Sequence, residues 1–235
     1  VLDLSANPFN TARTSYFHKS IGGYHAAKPG RIQDLFNFHI AENNLEVLNM
    51  LNAKYFIVAG EEGIVAQENP DANGNAWFVE NVMLVDSANE EIMALEEINT
   101  KKTAVLNRKF EEYLPTKGFK ADETAQIELT AYSPNELTYQ YSSESEQLVV
   151  FSEVYYPNGW QAYIDGEKVP HFQADYVLRA MIVPGGEHAI TFKFEPKVIQ
   201  TGSTIALASS ILLGLALIGG LYFVFRKKTA SEEKE

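Results

Sequence analysis

Residues 205–225 form the longest apolar stretch of the chain and contain no charged residue and no proline. A helix of this length rises about 30 Å, which matches the hydrocarbon core of a bilayer. Arg226, Lys227 and Lys228 follow directly, and the positive-inside rule places such residues in the cytoplasm. The pattern therefore predicts a transmembrane helix. A buried soluble helix is the alternative, but soluble helices are rarely apolar on all sides over this length.

From residue 125 to residue 198, apolar and polar residues alternate with the period of two that half-buried strands require. Residues 148–151 are a continuous apolar run, which is typical of a central strand. Asp165 and Gly166 lie between two alternating segments and predict a tight type I′ hairpin, because both tolerate a positive φ. Short strands joined by tight turns predict an antiparallel, jelly-roll-like β-sandwich.

Residues 1–110 lack a sustained alternation and predict a small mixed α/β domain. Residues 31–42 place apolar side chains on one side of a helix. Asn44 is a good N-cap for a second helix. Ser87 and Glu90 have the spacing of a capping box and predict the start of a third helix.

The segments between these regions complete the predicted organisation. Residues 111–124 are charged and punctuated by Gly and Pro, which indicates a connector. The predicted fold class is α+β. Its parts are an α/β domain at 1–110, the connector at 111–124, a β-sandwich at 125–198, a transmembrane helix at 205–225 and a tail at 226–235.

Composition limits the functions open to this chain. It has 235 residues, 46% of them hydrophobic, and a net charge of −12, so a packed core is expected and nucleic-acid binding is not. It has no Cys, which excludes disulfides and thiolate metal sites. The five His residues do not recur at the spacing of a helical metal site. We therefore expect no metal and no cofactor.

The topology predicted from the charges places the large domain outside the cytoplasmic membrane and the tail inside the cytoplasm. The first residues have neither the charged region nor the apolar region of a signal peptide. A domain on that side nevertheless needs a signal. We therefore expect the chain to be the C-terminal piece of a longer protein, with membrane helices upstream.

Two stretches combine residue types that bind carbohydrate or phosphate, by ring stacking and charge-assisted hydrogen bonds. The first is a long loop of aromatic and cationic residues, in which the candidate ligand-binding residues are Tyr16, His18, Lys19, Tyr24, His25 and Arg31. The second contains the aromatic candidates Tyr155, Tyr156 and Trp160.

Both stretches also have a purely structural interpretation. The loop of the first can fold over its own domain, with its rings in the core. In the second, Trp160 alternates with Ala162 and Ile164, and therefore belongs on the inward face with Phe192 and Phe194. Adjacent acidic pairs elsewhere point in different directions and do not indicate a catalytic carboxylate pair. No residue is therefore predicted to be catalytic.

Three segments resemble one family: residues 15–35, residues 48–58, and residues 149–170 with the motif YYPNGWQAYIDG. They are similar to the C-terminal part of the YfhO-like bacterial membrane proteins. The resemblance implies a polytopic parent of the GT-C glycosyltransferase type, which uses a polyprenyl-phosphate-linked sugar. It also implies that the catalytic acids lie in an early extracytoplasmic loop, outside this sequence.

The function expected on this basis is a non-catalytic extracytoplasmic domain with a terminal membrane anchor. The expected partners are the lipid bilayer, the upstream membrane helices of the parent, and a cell-envelope glycan or polyprenyl-phosphate sugar. Two alternatives remain open. One is a membrane-anchored glycan-binding module without an attached enzyme, and the other is a structural domain of a membrane complex.

Overall fold

A computed structural model describes residues 1–25, 27–61 and 63–232, with only the backbone described for residues 223–232. The chain divides into two compact units, Val1–Phe194 and Glu195–Glu235. Every strand that the structure describes lies in the first unit.

The first unit is rich in β-structure. Its strands, in chain order, are β1 (Leu2–Asp3), β2 (Tyr55–Gly60), β3 (Gly63–Glu68), β4 (Ala76–Val79), β5 (Asn81–Val85), β6 (Thr103–Asn107), β7 (Gln126–Ser133), β8 (Glu136–Ser143), β9 (Gln147–Val154), β10 (Trp160–Ile164), β11 (Glu167–Val169), β12 (Phe172–Ala174), β13 (Leu178–Val183) and β14 (Gly186–Phe194).

The described helices are short except for the last. They are α1 (Arg13–Phe17), α2 (Gly30–Leu35) with a π-helical continuation (Phe36–Ile40), α3 (Leu45–Met50), α4 (Ala88–Ala94), a 3₁₀ helix (Arg108–Tyr113) and α5 (Lys197–Glu232).

The predicted helix starts have the capping contacts that their sequences indicate. The backbone N–H of Val47 donates to the side chain of Asn44 over 3.3 Å at the start of α3. The backbone N–H of Glu90 donates to Ser87 over 3.2 Å at the start of α4. Both contacts satisfy donors that a first helical turn leaves unpaired.

Two antiparallel sheets form the predicted β-sandwich. One has five strands in the order β11-β10-β14-β8-β7, and the other has four in the order β12-β13-β9-β4. Strand β9 lies between β13 and β4, which confirms the central position predicted from its apolar run. The residues buried together between the sheets are Leu137, Tyr139, Tyr141, Val149, Phe151, Ala162, Met181, Val183, Ile190 and Phe192.

The β10–β11 hairpin confirms the turn predicted from Asp165 and Gly166. Their φ angles are 51° and 85°, and Ile164 pairs with Glu167 across the turn. A positive φ at both central residues is the requirement of a type I′ turn, and it matches the twist of the flanking strands. Alternation and turn chemistry therefore determine this part of the sandwich locally.

The sandwich also includes a strand from the first part of the chain. Trp77 of β4 pairs with Val150 of β9, so strand pairing crosses the predicted connector at 111–124. Residues 1–194 form one compact unit. The division into a domain at 1–110 and a domain at 125–198 stays a prediction.

A second layer of structure packs against the outer side of the four-stranded sheet. Strands β1, β2 and β3 form a small sheet, and β5 and β6 pair in parallel. Their core joins that of the helices and includes Leu2, Leu48, Leu95, Leu106 and Leu178. Strand β3 is exposed along its whole length and forms an edge of the small sheet.

The second unit contains the apolar segment. Helix α5 begins before the predicted transmembrane residues 205–225 and continues beyond them. Its stretch Lys197–Tyr222 has a mean hydropathy of 2.1 and is long and apolar enough to cross a membrane. Residues 233–235 of the predicted tail lie outside the described residues.

Candidate functional site

A cleft of about 500 Å³ lies where the segment after α1 meets strands β7 and β9. We call it the Lys19 cleft. Its walls carry cationic, aromatic, amide and hydroxyl groups together with one carboxyl group. The lining residues are Val1, His18, Lys19, Ser20, Ile21, Leu51, Asn52, Lys54, Tyr55, Asn75, Leu129, Tyr132, Ser152 and Glu153.

Lys19 and Tyr132 form one contact across this cleft. The Lys19 ammonium nitrogen lies 3.0 Å from the centroid of the Tyr132 ring, which is a cation–π contact. Tyr132 pairs with Leu137, and Leu137 pairs with Phe192 near the end of β14. The Lys19 cleft is therefore at the end of the sandwich where the chain leaves for α5.

Glu153 supplies the carboxyl group of the cleft. It lies on β9 and is half-buried. Burial raises the pKa of Glu153, while the positive charges of Arg179 and Lys19 act in the opposite direction. The charges of both cations therefore favour the ionised form of Glu153.

Arg179 is the interior cation, with only 2% of its surface exposed. Its Nε donates to the backbone carbonyl of Val154 over 2.9 Å, and its guanidinium carbon lies 4.1 Å from the Trp160 ring centroid. Burial lowers its pKa to about 10, while the charge of Glu153 opposes that shift. Its Nη1 has no hydrogen-bond partner among the described residues, so Arg179 has unused capacity to donate.

The Trp160 ring lies against this guanidinium group. Its side chain is half-buried and packs against the core between the sheets, with its ring centroid 5.4 Å from that of Phe194. A Cβ on the neighbouring Gly159 would lie 2.2 Å from the Phe194 ring, so only Gly fits there. Trp160 is therefore part of the core edge and is not an open platform.

Tyr155 and Tyr156, the other two residues of the second candidate stretch, lie in different surroundings. Tyr155 makes edge-on ring contacts with His171 at 5.5 Å and with Phe110 at 5.9 Å. Tyr156 is 49% exposed and lies 6.4 Å from Phe194. The structure therefore does not place Tyr155, Tyr156 and Trp160 on a single exposed face.

The residues of the first candidate stretch also lie in different places. His18 and Lys19 line the Lys19 cleft, whereas Tyr24 and His25 line a separate groove of about 420 Å³ with Lys28. Tyr16 lines neither of these and is 83% exposed. A ligand-binding role for these residues stays a prediction.

Arg31 makes contacts inside the domain that occupy its guanidinium. Its Nη1 lies 2.9 Å from the carboxylate of the fully buried Glu91 and donates to the carbonyl of Tyr176 over 2.7 Å. The guanidinium also lies 4.3 Å from the Tyr176 ring. A buried carboxylate needs such a partner, so Arg31 has a structural role in the described fold.

Asp175 is a second buried carboxyl group in the same region. One of its oxygens accepts from the backbone N–H of Val105 over 2.8 Å, and the other has no partner among the described residues. Burial raises its pKa to about 8. Asp175 and Tyr176 both have positive φ angles, of 48° and 70°, which L-residues adopt at a cost.

A larger depression of about 530 Å³ lies near the β10–β11 hairpin, at the other end of β14. Its floor is apolar, with Ile164, Val169 and Phe172, and its rim carries carboxyl groups. It contains none of the predicted binding residues, so we base the candidate site on the Lys19 cleft.

Sequence reasoning did not identify several residues of the site. Tyr132 and Glu153 lie on β7 and β9, and Lys54 lies just before β2, so these residues meet only in the folded chain. Arg179 did have a signal, because it is the one charged residue in the apolar run of β13. Among the described residues, no cluster of His, Asp and Glu is placed to hold a metal ion.

The part of the chain that the structure describes is a β-sandwich domain followed by an apolar helix long enough to cross a membrane. Residues 98–206 match the family model described as bacterial membrane protein YfhO, so this part of the chain is similar to that family. The match includes the segment 149–170, whereas the segments 15–35 and 48–58 lie outside it. No curated protein and no solved structure matches the chain.

Proposed function

We propose that this chain is the non-catalytic extracytoplasmic domain and terminal anchor of a polytopic YfhO-like protein, and that the parent transfers sugars from a polyprenyl phosphate to cell-envelope glycans. The family match supports a membrane protein of this kind and extends from the β-sandwich into α5. Arg226, Lys227 and Lys228 after the apolar stretch favour a cytoplasmic C-terminus.

The observation that carries a binding role is the chemistry of the Lys19 cleft. Lys19 and Lys54 are suited to a phosphate, and Tyr55 and Tyr132 are suited to the apolar face of a sugar ring. Glu153 supplies an acceptor for sugar hydroxyl groups. We infer that the cleft binds a glycosyl phosphate, either free or as the head group of a lipid-linked sugar.

The position of the cleft fits a lipid-linked ligand. The cleft is at the end of the sandwich where β14 ends at Phe194, and α5 begins three residues later at Lys197. A lipid-linked sugar presents its phosphate at the bilayer surface. A binding cleft near the membrane-linked end of the domain is suited to that substrate.

A binding measurement on the full chain in nanodiscs tests this proposal. The probe is glucose 1-phosphate, compared with methyl glucoside, which lacks the phosphate. We expect the phosphate compound to bind more tightly. Lys19→Met should weaken its binding at least about tenfold, equal to about 1.4 kcal/mol, because a charge-assisted contact is lost.

Lys168→Met is the matched control, since Lys168 is exposed on β11 and does not line the Lys19 cleft. It should leave binding unchanged. Equal binding of glucose 1-phosphate by the wild type and Lys19→Met would contradict the proposed cleft, as would an absence of binding to the wild type.

A further inference from the structure

The segment before Asp34 differs in charge from the rest of this acidic chain. Residues 4–33 contain Arg13, Lys19, Lys28 and Arg31 and no Asp or Glu, although the whole chain has a net charge of −12. A local reversal of charge on this scale indicates a surface with an anionic partner.

Large aromatic side chains project from the same segment. Tyr16 is 83% exposed and Phe17 is 69% exposed, and their ring centroids lie 4.9 Å apart. Single exposed apolar residues are ordinary, but adjacent aromatic residues beside cations indicate an interaction surface. We call Arg13, Tyr16, Phe17 and Lys19 the aromatic–basic face.

Hydrogen bonds hold this face in place. The hydroxyl of Thr14 in α1 donates to Asp3 over 2.6 Å, and the backbone N–H of Gly23 donates to the carbonyl of Pro8 over 2.7 Å. A Cβ on Gly22 would lie 2.2 Å from that same carbonyl oxygen, so the loop packs closely here. The aromatic residues are therefore presented by a fixed support.

The carboxyl group of Asp3 lies beside the face, and its interaction with Arg13 offsets part of the positive charge of that residue. Its oxygens accept hydrogen bonds from Ser5 and Thr14, and its side chain is turned inward with 9% of the residue exposed. Arg13 and Phe17 line a groove of about 200 Å³ with Ile57. The groove combines a cation with apolar walls, as an interfacial anchor requires.

The position of the face within the domain indicates which kind of partner it contacts. Lys19 contacts Tyr132, whose strand neighbour Leu137 pairs with Phe192. The face is therefore attached to the end of the sandwich at which β14 gives way to α5. A chain tethered to a bilayer at this end encounters the lipid surface at a high effective concentration.

We propose that the aromatic–basic face docks on anionic phospholipid headgroups. Tyr16 and Phe17 enter the interfacial layer, where aromatic side chains are favoured, and Arg13 and Lys19 contact lipid phosphates. The docking holds the sandwich against the lipid surface. Lys19 belongs to both the face and the Lys19 cleft, so the docking rests on Arg13, Tyr16 and Phe17 and remains testable if the cleft binds no sugar.

Lipid-dependent fluorescence of the full chain in nanodiscs tests this docking. Because the chain has no Cys, an Ala12→Cys variant takes one environment-sensitive label beside the face. In nanodiscs containing phosphatidylglycerol and spin-labelled lipid, we expect blue-shifted and quenched emission. The quenching should fall in phosphatidylcholine alone and at high salt, because both weaken the attraction between the face and the lipid charges.

A label at Glu187→Cys is the matched control. Glu187 is exposed and lies about 23 Å from Phe194 along β14, so it should show no quenching. Tyr16→Ser combined with Phe17→Ser should abolish the quenching at position 12 without lowering the thermal stability. Unquenched emission at position 12 in anionic nanodiscs would overturn the proposal, and so would quenching that persists in the double variant.

Discussion

The core of the β-sandwich and the segment around α1 hold their aromatic side chains in different surroundings. Between the sheets, Tyr139, Phe151 and Phe192 are fully buried, and their ring centroids lie 4.9 to 6.3 Å apart. In the segment around α1, Tyr16 and Phe17 project outward, and a hydrogen bond from Thr14 to Asp3 holds the helix in place. Aromatic side chains therefore stabilise the core of the sandwich, whereas those of α1 remain exposed to a partner.

This difference has a physical reason. Aromatic side chains buried between sheets stabilise the fold through apolar area removed from water. The same side chains held outward keep that area available for a partner. The role of an aromatic side chain in this chain therefore depends on whether the fold buries it or holds it outward, and not on its residue type.

Removing one Phe from each region should give the largest contrast. Phe151→Ala leaves a cavity between the sheets and should cost about 3–5 kcal/mol of the free energy of unfolding. Phe17→Ala removes an exposed ring and should change stability by less than about 0.5 kcal/mol. Thermal or denaturant unfolding of the two variants measures the difference.

Trp160→Ala sharpens the same comparison, because Trp160 is half-buried at the edge of the core. Its cost should lie between those of the two Phe variants. A Phe17→Ala variant as unstable as Phe151→Ala would show that the loop region belongs to the core after all.

The buried carboxyl group of Asp175, between β12 and β13, should give a pH-dependent effect. Burial raises the pKa of Asp175 from 3.8 to about 8, so the folded state holds this proton more tightly than the unfolded state. Its contribution to stability therefore falls as the pH rises from about 4 to about 8. The slope is at most about 1.4 kcal/mol per pH unit for one proton.

His171 acts in the opposite direction, but at lower pH. Burial lowers its pKa from 6.5 to about 4, so its contribution to stability rises with pH between those values. Unfolding measured between pH 6.5 and pH 8 therefore avoids the titration of His171, and the difference between the wild type and Asp175→Asn isolates Asp175; the variant should flatten the curve. An identical slope for the wild type and the variant would contradict a buried Asp175 carboxyl group with a raised pKa.

Local sequence signals predicted the strands and turns of the sandwich and the starts of two helices. The hairpin at Asp165 and Gly166, the caps at Asn44 and Ser87, and the central strand at 148–151 each depend on a few neighbouring residues. Such features appear in the sequence because the physical requirement is local. The pairing of β4 with β9 did not appear, since strand partners far apart in sequence leave no local pattern.

The candidate site could be predicted only in part. His18 and Lys19 were identified from their residue types, but Lys54 and Glu153 could not be connected to them from the sequence alone.

 Glu153 and Lys54 lie on β9 and just before β2, and the fold brings them to the same cleft. Arg31 was assigned to binding because it is a cation among aromatic residues, and only the fold shows that it pairs with the buried Glu91. A charge in an exposed loop and a charge facing a buried carboxylate look alike in a sequence.

The accessibility of single cysteines tests the central claim most directly, namely that the chain crosses the membrane once with the sandwich outside. Glu187→Cys places a thiol on the sandwich and Lys228→Cys places one beyond the apolar stretch, each introduced into the chromosomal gene. A membrane-impermeant maleimide added to intact spheroplasts should label position 187, and should label position 228 only after the membrane is opened. Labelling of both positions in intact spheroplasts, or of position 228 alone, would contradict the account.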